Sequence, residues 1–262
     1  MAISRAQLLK ELLPGLNALF GMEYARYDDE HSEIYETESS DRSFEEEVKL
    51  SGFDAAPVKD EGSAISYDAA QESFTARYNH ETIAMGFAIT EEAMEDNLYD
   101  SLSARYTKAL ARAMAHTKQV KAVVPLNNGF TAAYQGGDGV NLFTADGDGV
   151  TGGDGHPLVS GGKNSNRPAT AVDLNETSLE AAVIQIGKWT DERGLMIAAR
   201  PQTLVIPPDL QFVATRVMKS ELRPGTADND VNAVRSMGVV PGGTVVNHYL
   251  TDTDAWFLLT DV

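Results

Sequence analysis

Residues 90–121 constrain the fold more than any other stretch, because they predict one long helix. Thr90 is placed as an N-cap. Glu91, Glu92, Glu95 and Asp96 follow it, where carboxylates meet the positive end of the helix dipole. The far end carries Arg105, Lys108, Arg112, Lys118 and Lys121, with no acid between Ser101 and Lys121. Met94, Leu98, Leu102, Tyr106, Leu110, Ala113 and Met114 recur at helical spacing as a narrow apolar stripe. At 1.5 Å per residue the helix is roughly 48 Å long, longer than most small domains are wide. Such a helix is a spine that braces something flat or extended.

The segments before the spine lack cores of their own. Residues 4–20 read as a short helix broken at Pro14-Gly15, with Leu8, Leu9, Leu12, Leu13, Leu16, Leu19 and Phe20 on one stripe. Tyr24 to Arg42 is a polar, acid-rich arm. An apolar helix leading into such an arm points to docking on a neighbouring subunit. In residues 44–88, Phe44, Val48 and Leu50 sit among acids, and a Gly-rich stretch follows from Ser51 to Ser63. Phe74, Ala76 and Tyr78 then alternate with polar residues as in a half-exposed strand, and Ile83 to Ile89 is a second strand candidate. Two strands on a long polar connection make a projecting hairpin, which is marginal in water without outside support.

Beyond the spine, glycines make residues 126–172 loop-rich. Thr177-Ser178-Leu179-Glu180 fits a capping box opening a helix through Leu179, Val183, Ile186 and Trp189 that ends near Gly194. Thr203 to Ile206 reads as a buried strand, and Pro208 opens a helix through Phe212, Val213, Val217 and Met218. Thr244 to Leu250 and Ala255 to Leu259 flank Thr251-Asp252-Thr253-Asp254 as a hairpin.

Charge narrows the partners. Asp plus Glu number 39 against 21 Lys plus Arg, a formal net charge of −18. Such a surface repels nucleic acid and anionic membranes, so proteins or cations are the expected partners. No cysteine is present, which removes disulfides, thiolate metal sites and cysteine nucleophiles. No apolar run reaches the roughly 18 residues of a membrane span, and Glu11 and Pro14 spoil a signal peptide at the N-terminus. A soluble chain made in the cytoplasm is expected.

Chemical motifs fail at defined positions. Asp146-Gly147-Asp148-Gly149 with Asp154 suggests oxygen ligands for calcium, but Val150 and Thr151 stand where an EF-hand needs an acid or amide and then glycine. Gly162-Lys163 lacks the earlier glycine and the following Ser/Thr of a phosphate loop, and His80-Glu81 lacks a second histidine at Ala84. No catalytic residue, metal ligand or cofactor is expected.

The order of elements resembles the major capsid proteins of tailed bacteriophages with the Hong Kong-97 capsid fold. The sequence is similar to their Mu-like major head subunit group. The likeness rests on Leu174–Ala182, Asp191-Glu192-Arg193-Gly194, Ala199–Pro208 and Asn247–Trp256, with His156-Pro157-Leu158 and Ser165–Pro168. It covers most of residues 90–262; the arm and hairpin match by position and character. It implies an α+β fold with an N-terminal arm at 1–43, an extended β-hairpin loop at 44–88 and a peripheral-domain spine helix at 89–125. Residues 126–262 would be mainly an α/β axial domain, with the helix–strand–helix unit at 175–221. Family members usually carry further peripheral strands; the sequence given ends at Val262, so those are expected to be absent. Any scaffold would be a separate chain. Lys59 lies where some relatives form a Lys–Asn cross-link, and is expected here to be free and salt-bridging.

The resemblance implies a structural virion protein that self-assembles into the hexamers and pentamers of an icosahedral head, made in the host bacterial cytoplasm. The head encloses double-stranded DNA without sequence-specific binding. Scaffold, portal and decoration proteins are the further partners, and no membrane is involved. Glu45, Glu46, Glu47, Lys59, Asp60, Arg77, Arg105, Lys108 and Arg112 are expected at inter-subunit contacts. The acidity then suits a container that lets DNA slide in. The alternatives are a small α/β hydrolase-like enzyme built on residues 173–262, and a calcium-stabilised surface adhesin using the Asp146 region.

Overall fold

The computed structural model describes residues 5–88, 99–147, 154–223 and 230–262. The chain divides into two compact units, one formed by residues 1–36 and 81–123, the other by 37–80 and 124–262.

The first unit contains helix α1 (Arg5–Tyr24), a 3-10 turn (Glu30–Glu33) and most of helix α2 (Tyr99–Asn128). α1 is continuous through Pro14-Gly15, against the expected break. One proline removes a single amide donor, and the good helix formers around it propagate the helix past that loss. The spine helix is present from Tyr99; the expected cap at Thr90 and the acids of the first turns lie outside the described residues. Its far end runs past Lys121 to Asn128 and through Pro125.

The face that α2 buries differs from the apolar stripe. Ser103, Thr107, Ala111, Ala115, Gln119 and Val123, each four residues apart, are buried. Tyr106 is 52% exposed, and Leu102, Leu110, Ala113 and Met114 are only half-buried. The buried line is thus made mostly of small or polar side chains, and Gln119 is buried where it meets the arm. The arm is not wholly without support in its own chain. The buried Gln119 accepts from the His31 amide at 3.2 Å and donates to Asp29 Oδ1 at 3.0 Å. Lys118 lies 3.1 Å from Asp29, and Lys121 lies 2.6 Å from Glu81.

The second unit holds a ribbon and a small sheet. Strands β1 (Phe44–Leu50) and β2 (Glu72–Asn79) pair antiparallel, Phe44 opposite Asn79 and Glu46 opposite Arg77. The second strand of the ribbon is therefore 44–50; residues 81–88 form no strand, and Ile89 lies outside the described residues. The two-residue strands β3 (His156–Pro157) and β4 (Lys163–Asn164) pair within the loop-rich stretch.

Helix α3 (Glu176–Ile186) is capped by Asn175, whose side chain accepts from the Ser178 amide while Ser178 Oγ accepts from the Asn175 amide, both at 2.9 Å. The box thus sits two residues earlier than expected. The helix also stops at Ile186 rather than near Gly194, because residues 190–196 fold back in a tight turn closed by Asp191 N to Leu195 O at 2.7 Å.

Strand β5 (Pro201–Ile206), a 3-10 turn (Pro208–Leu210), helix α4 (Gln211–Lys219), helix α5 (Ala233–Met237), strand β6 (Thr244–Val246) and strand β7 (Phe257–Thr260) complete the unit. β6 and β7 do not form the expected hairpin. They flank β5 on opposite edges, β6 parallel to it and β7 antiparallel. The reason is burial. Leu204, Val205 and Ile206 are fully buried, so β5 carries apolar side chains on both faces and takes the centre. Leu204 and Ile206 join Leu174, Ala214 and Val240 in one cluster. On the pleat's other face Val205 is in register with Phe257, which meets Phe143 and Phe130 at centroid distances of 5.2 and 6.1 Å. Each of the three β5 side chains contributes roughly 1.5–3 kcal/mol by leaving water.

Candidate functional site

The nine residues expected at inter-subunit contacts fall in three places. Arg105, Lys108 and Arg112 line one exposed face of α2, and carry no ion pair among the described residues. Lys108 and Arg112 border an open cleft of about 570 Å³ with Tyr27, Ala109, Ala113 and His116. The second place is the ribbon. Arg77 reaches across it to Glu46 at 3.6 Å and lies 3.8 Å over the Phe44 ring. Ser40 hydroxyl donates to Glu45, and Glu47 is exposed. Strand alternation puts Glu45 and Glu47 on the face opposite Glu46. Glu46 and Arg77 therefore satisfy each other within the chain, while the 45/47 face presents acids outward.

Lys59 and Asp60 occupy the third place, the loop that joins β1 to β2. Both are exposed, and the Asp60 carbonyl accepts from the Ser63 amide and hydroxyl at 3.2 and 2.8 Å. Every residue from Gly52 to Glu72 is exposed. Phe53 at 60%, Val58 at 95%, Ile65 at 68% and Tyr67 at 94% leave large apolar surface in water. So much uncovered hydrophobic surface is unusual for one loop of a soluble fold.

The root of this loop is fastened by residues absent from the expected set. Ser51 is buried; its amide donates to Gln71 O at 2.8 Å, and its hydroxyl accepts from the Gln71 amide at 2.9 Å. Lys49 pairs with the buried carboxylate of Glu192, which also accepts from the Val159 amide at 3.2 Å. Arg193 donates to the carbonyls of Gly52 and Ala69 at 3.3 and 2.9 Å and faces Asp54 at 3.6 Å. Asp68 accepts from the Asp54 and Ala69 amides, both at 2.8 Å, and these bonds, the Asp54 one first, hold its carboxyl below the usual aspartate range. Sequence reading noted Asp191–Gly194 only as a matching segment. Its partners lie 124 and 141 residues away, beyond the reach of any local spacing signal.

A second prop reaches the ribbon from the glycine-rich stretch. Gly137 passes so close to β2 that an added Cβ would lie 2.6 Å from the Thr75 carbonyl oxygen. The loop carrying it is tied down by His156 Nδ1, 2.6 Å from Asp138 Oδ2.

The Asp146 region is arranged against a cation. Lys163 Nζ lies 2.7 Å from Asp154 and 3.6 Å from Asp146, and the bond to Asp154 chiefly raises the lysine's pKa. An ammonium already neutralises two of the carboxylates the calcium reading requires. Among the described residues no group of three or more His, Cys, Asp or Glu is placed to hold a metal.

A family model described as phage capsid protein matches residues 73–262. The fold is similar to that of a chain in the procapsid of bacteriophage JBD30, with a TM-score of 0.61 at 15% identity, covering 95% of this chain and 100% of that one. It is also similar to a chain in the JBD30 capsid decorated with minor capsid protein trimers, with a TM-score of 0.55 at 16% identity, covering 81% and 87% respectively. No curated protein matches the chain.

Proposed function

Since this chain belongs to the phage capsid protein family, we propose that its ribbon, loop and basic helix face are the surfaces that join copies into an icosahedral head. The protein is a structural component of the virion, a major capsid subunit and not an enzyme. Its mixed helix-and-sheet fold is that of phage capsid chains, and it works in a shell of many copies.

The finer assignment is the Hong Kong-97 arrangement of the Mu-like group. Residues 1–43 serve as the arm and 44–88 as the extended loop. The long helix is the spine of the peripheral domain, and the sheet with its helices is the axial domain. Copies close into hexamers and pentamers around enclosed double-stranded DNA, within the host cytoplasm. Scaffold, portal and decoration proteins are separate chains. The hydrolase-like and calcium-adhesin readings have no support in the family, and Lys163 opposes the second.

The observation that carries this reading is the ribbon and its loop, which leave Phe53, Val58, Ile65 and Tyr67 uncovered. A two-stranded ribbon is marginal alone and gains most by lying on a neighbour. Charge supplies register. Glu45 and Glu47 stand about 6.8 Å apart along a strand, close to the roughly 6 Å rise between Lys108 and Arg112 along a helix. The acidic face of one copy's β1 fits the basic face of another copy's α2.

Purification under assembly conditions and electron microscopy test this. Shells or capsomers are expected, and a stable monomer overturns it. Charge reversal at Lys108 and Arg112 to Glu should abolish particles, and reversal at Glu45 and Glu47 to Lys in the same chain should restore them. Assembly that ignores all four changes removes these residues from the interface.

A further inference from the structure

The loop 52–72 is exposed at every residue, so no buried apolar contact sets its direction. What holds it is polar and lies at its root. The turn Asp191–Gly194 is itself preorganised: Asp191 Oδ1 accepts from the Arg193 and Leu195 amides at 2.9 and 2.8 Å, and Gly194 takes φ +85°. That turn aims Arg193 at both rims of the loop. The Arg193 side chain is only 13% exposed, and its guanidinium spans the Gly52 and Ala69 carbonyls, with Asp54 alongside. A planar fork of donors suits two carbonyls at once.

We infer that the Asp191–Gly194 turn is a releasable latch, in which Arg193 sets the direction of the 52–70 loop and frees it to swing when its bonds open. This deepens the reading of residues 44–88 as an extended loop and rests on it. The mechanism is an ordinary one of low local stability. A segment tied by a few partly solvated polar bonds and no apolar burial opens far more easily than the core it springs from. Lys49 and Glu192 mark the fixed side of the hinge, since opening that pair would strand a buried carboxylate. Arg193 and Asp54 mark the side that opens, since Asp54 is 63% exposed.

Amide hydrogen exchange on the full chain kept unassembled tests the latch without requiring shells, so its failure and the failure of the assembly reading are distinguishable. Arg193→Ala should raise exchange of the Asp54 and Ala69 amides, which donate to Asp68 at the loop root, by roughly tenfold or more, the least expected from losing charge-assisted bonds. Exchange of β5 amides should stay unchanged, and Arg193→Lys should recover part of the protection. Raising salt should loosen the wild-type loop, and the mild variant Asp54→Asn should show a weaker salt response. Unchanged exchange of the Asp54 and Ala69 amides in Arg193→Ala overturns the proposal. So does an equal rise in β5, which would make Arg193 a general stabiliser.

Discussion

His156 Nδ1 lies 2.6 Å from Asp138 Oδ2, and this pair ties β3 to the loop that carries Gly137. Both side chains are largely shielded, at 26% and 15% exposed. A double-mutant cycle with His156→Ala and Asp138→Ala should show a coupling of about 1 kcal/mol by thermal or denaturant unfolding. Strictly additive losses would mean that the two side chains act separately.

The next link is Gly137 against β2. Its φ is unremarkable, so the demand is for space alone: a methyl group would meet the Thr75 carbonyl oxygen and the backbone behind it. Backbone cannot rotate aside as a side chain can. Gly137→Ala should push the loop off the ribbon and raise amide exchange at Ala76 and Tyr78, with a smaller effect on β5. An unperturbed ribbon would show that the loop shifts instead.

The position of the cap on α3 gives a clean contrast. Asn175→Ala should cost about 1 kcal/mol of stability, because its side chain closes the box with Ser178. Thr177→Ala, at the position that the local pattern favours, should stay within about 0.5 kcal/mol, since Thr177 is exposed. Matched melting curves of the two variants decide between the sites.

Two aspartates should respond to pH in opposite senses. Asp68 is held below its ordinary pKa by the Asp54 and Ala69 amides. Its contribution to loop order is therefore complete above the unfolded aspartate pKa and is lost as pH falls through the lower folded value. Asp254 is raised, first by its bond with Asp252 and then by that neighbour's charge. Its folded state favours the proton, so stability falls as pH rises from the unfolded pKa through the folded one. Carboxyl NMR titration should place Asp68 below and Asp254 above ordinary aspartate. Asp254→Asn should be slightly more stable than wild type at neutral pH, and a less stable variant would refute an unfavourable charge at Asp254.

These contrasts show where local pattern suffices. The spine helix was legible from Tyr99 onward because bases without acids run from Ser101 to Lys121 and apolar residues recur along it. The Phe74–Tyr78 alternation and the apolar run before Pro207-Pro208 marked β2 and β5 for the same reason: period and punctuation act over neighbouring residues. The acidic ribbon and basic helix face were also readable, since charge is carried by residue type alone.

Choices among partners were decided by tertiary structure. Thr244–Leu250 and Ala255–Leu259 look like a hairpin, yet each takes an edge of β5, because the strand buried on both faces must lie between them. Helix α2 buries Ser103, Thr107, Ala111 and Ala115 while Tyr106 stays half-exposed, a choice that the apolar period alone does not dictate. Arg193 meets Gly52 and Ala69 only once the chain has folded. The sequence by itself determined the body of the spine helix, β2, β5 and the sign of each surface. Tertiary structure decided which faces are buried and which residues fasten the loop, because burial and long-range hydrogen bonds depend on groups distant in the chain.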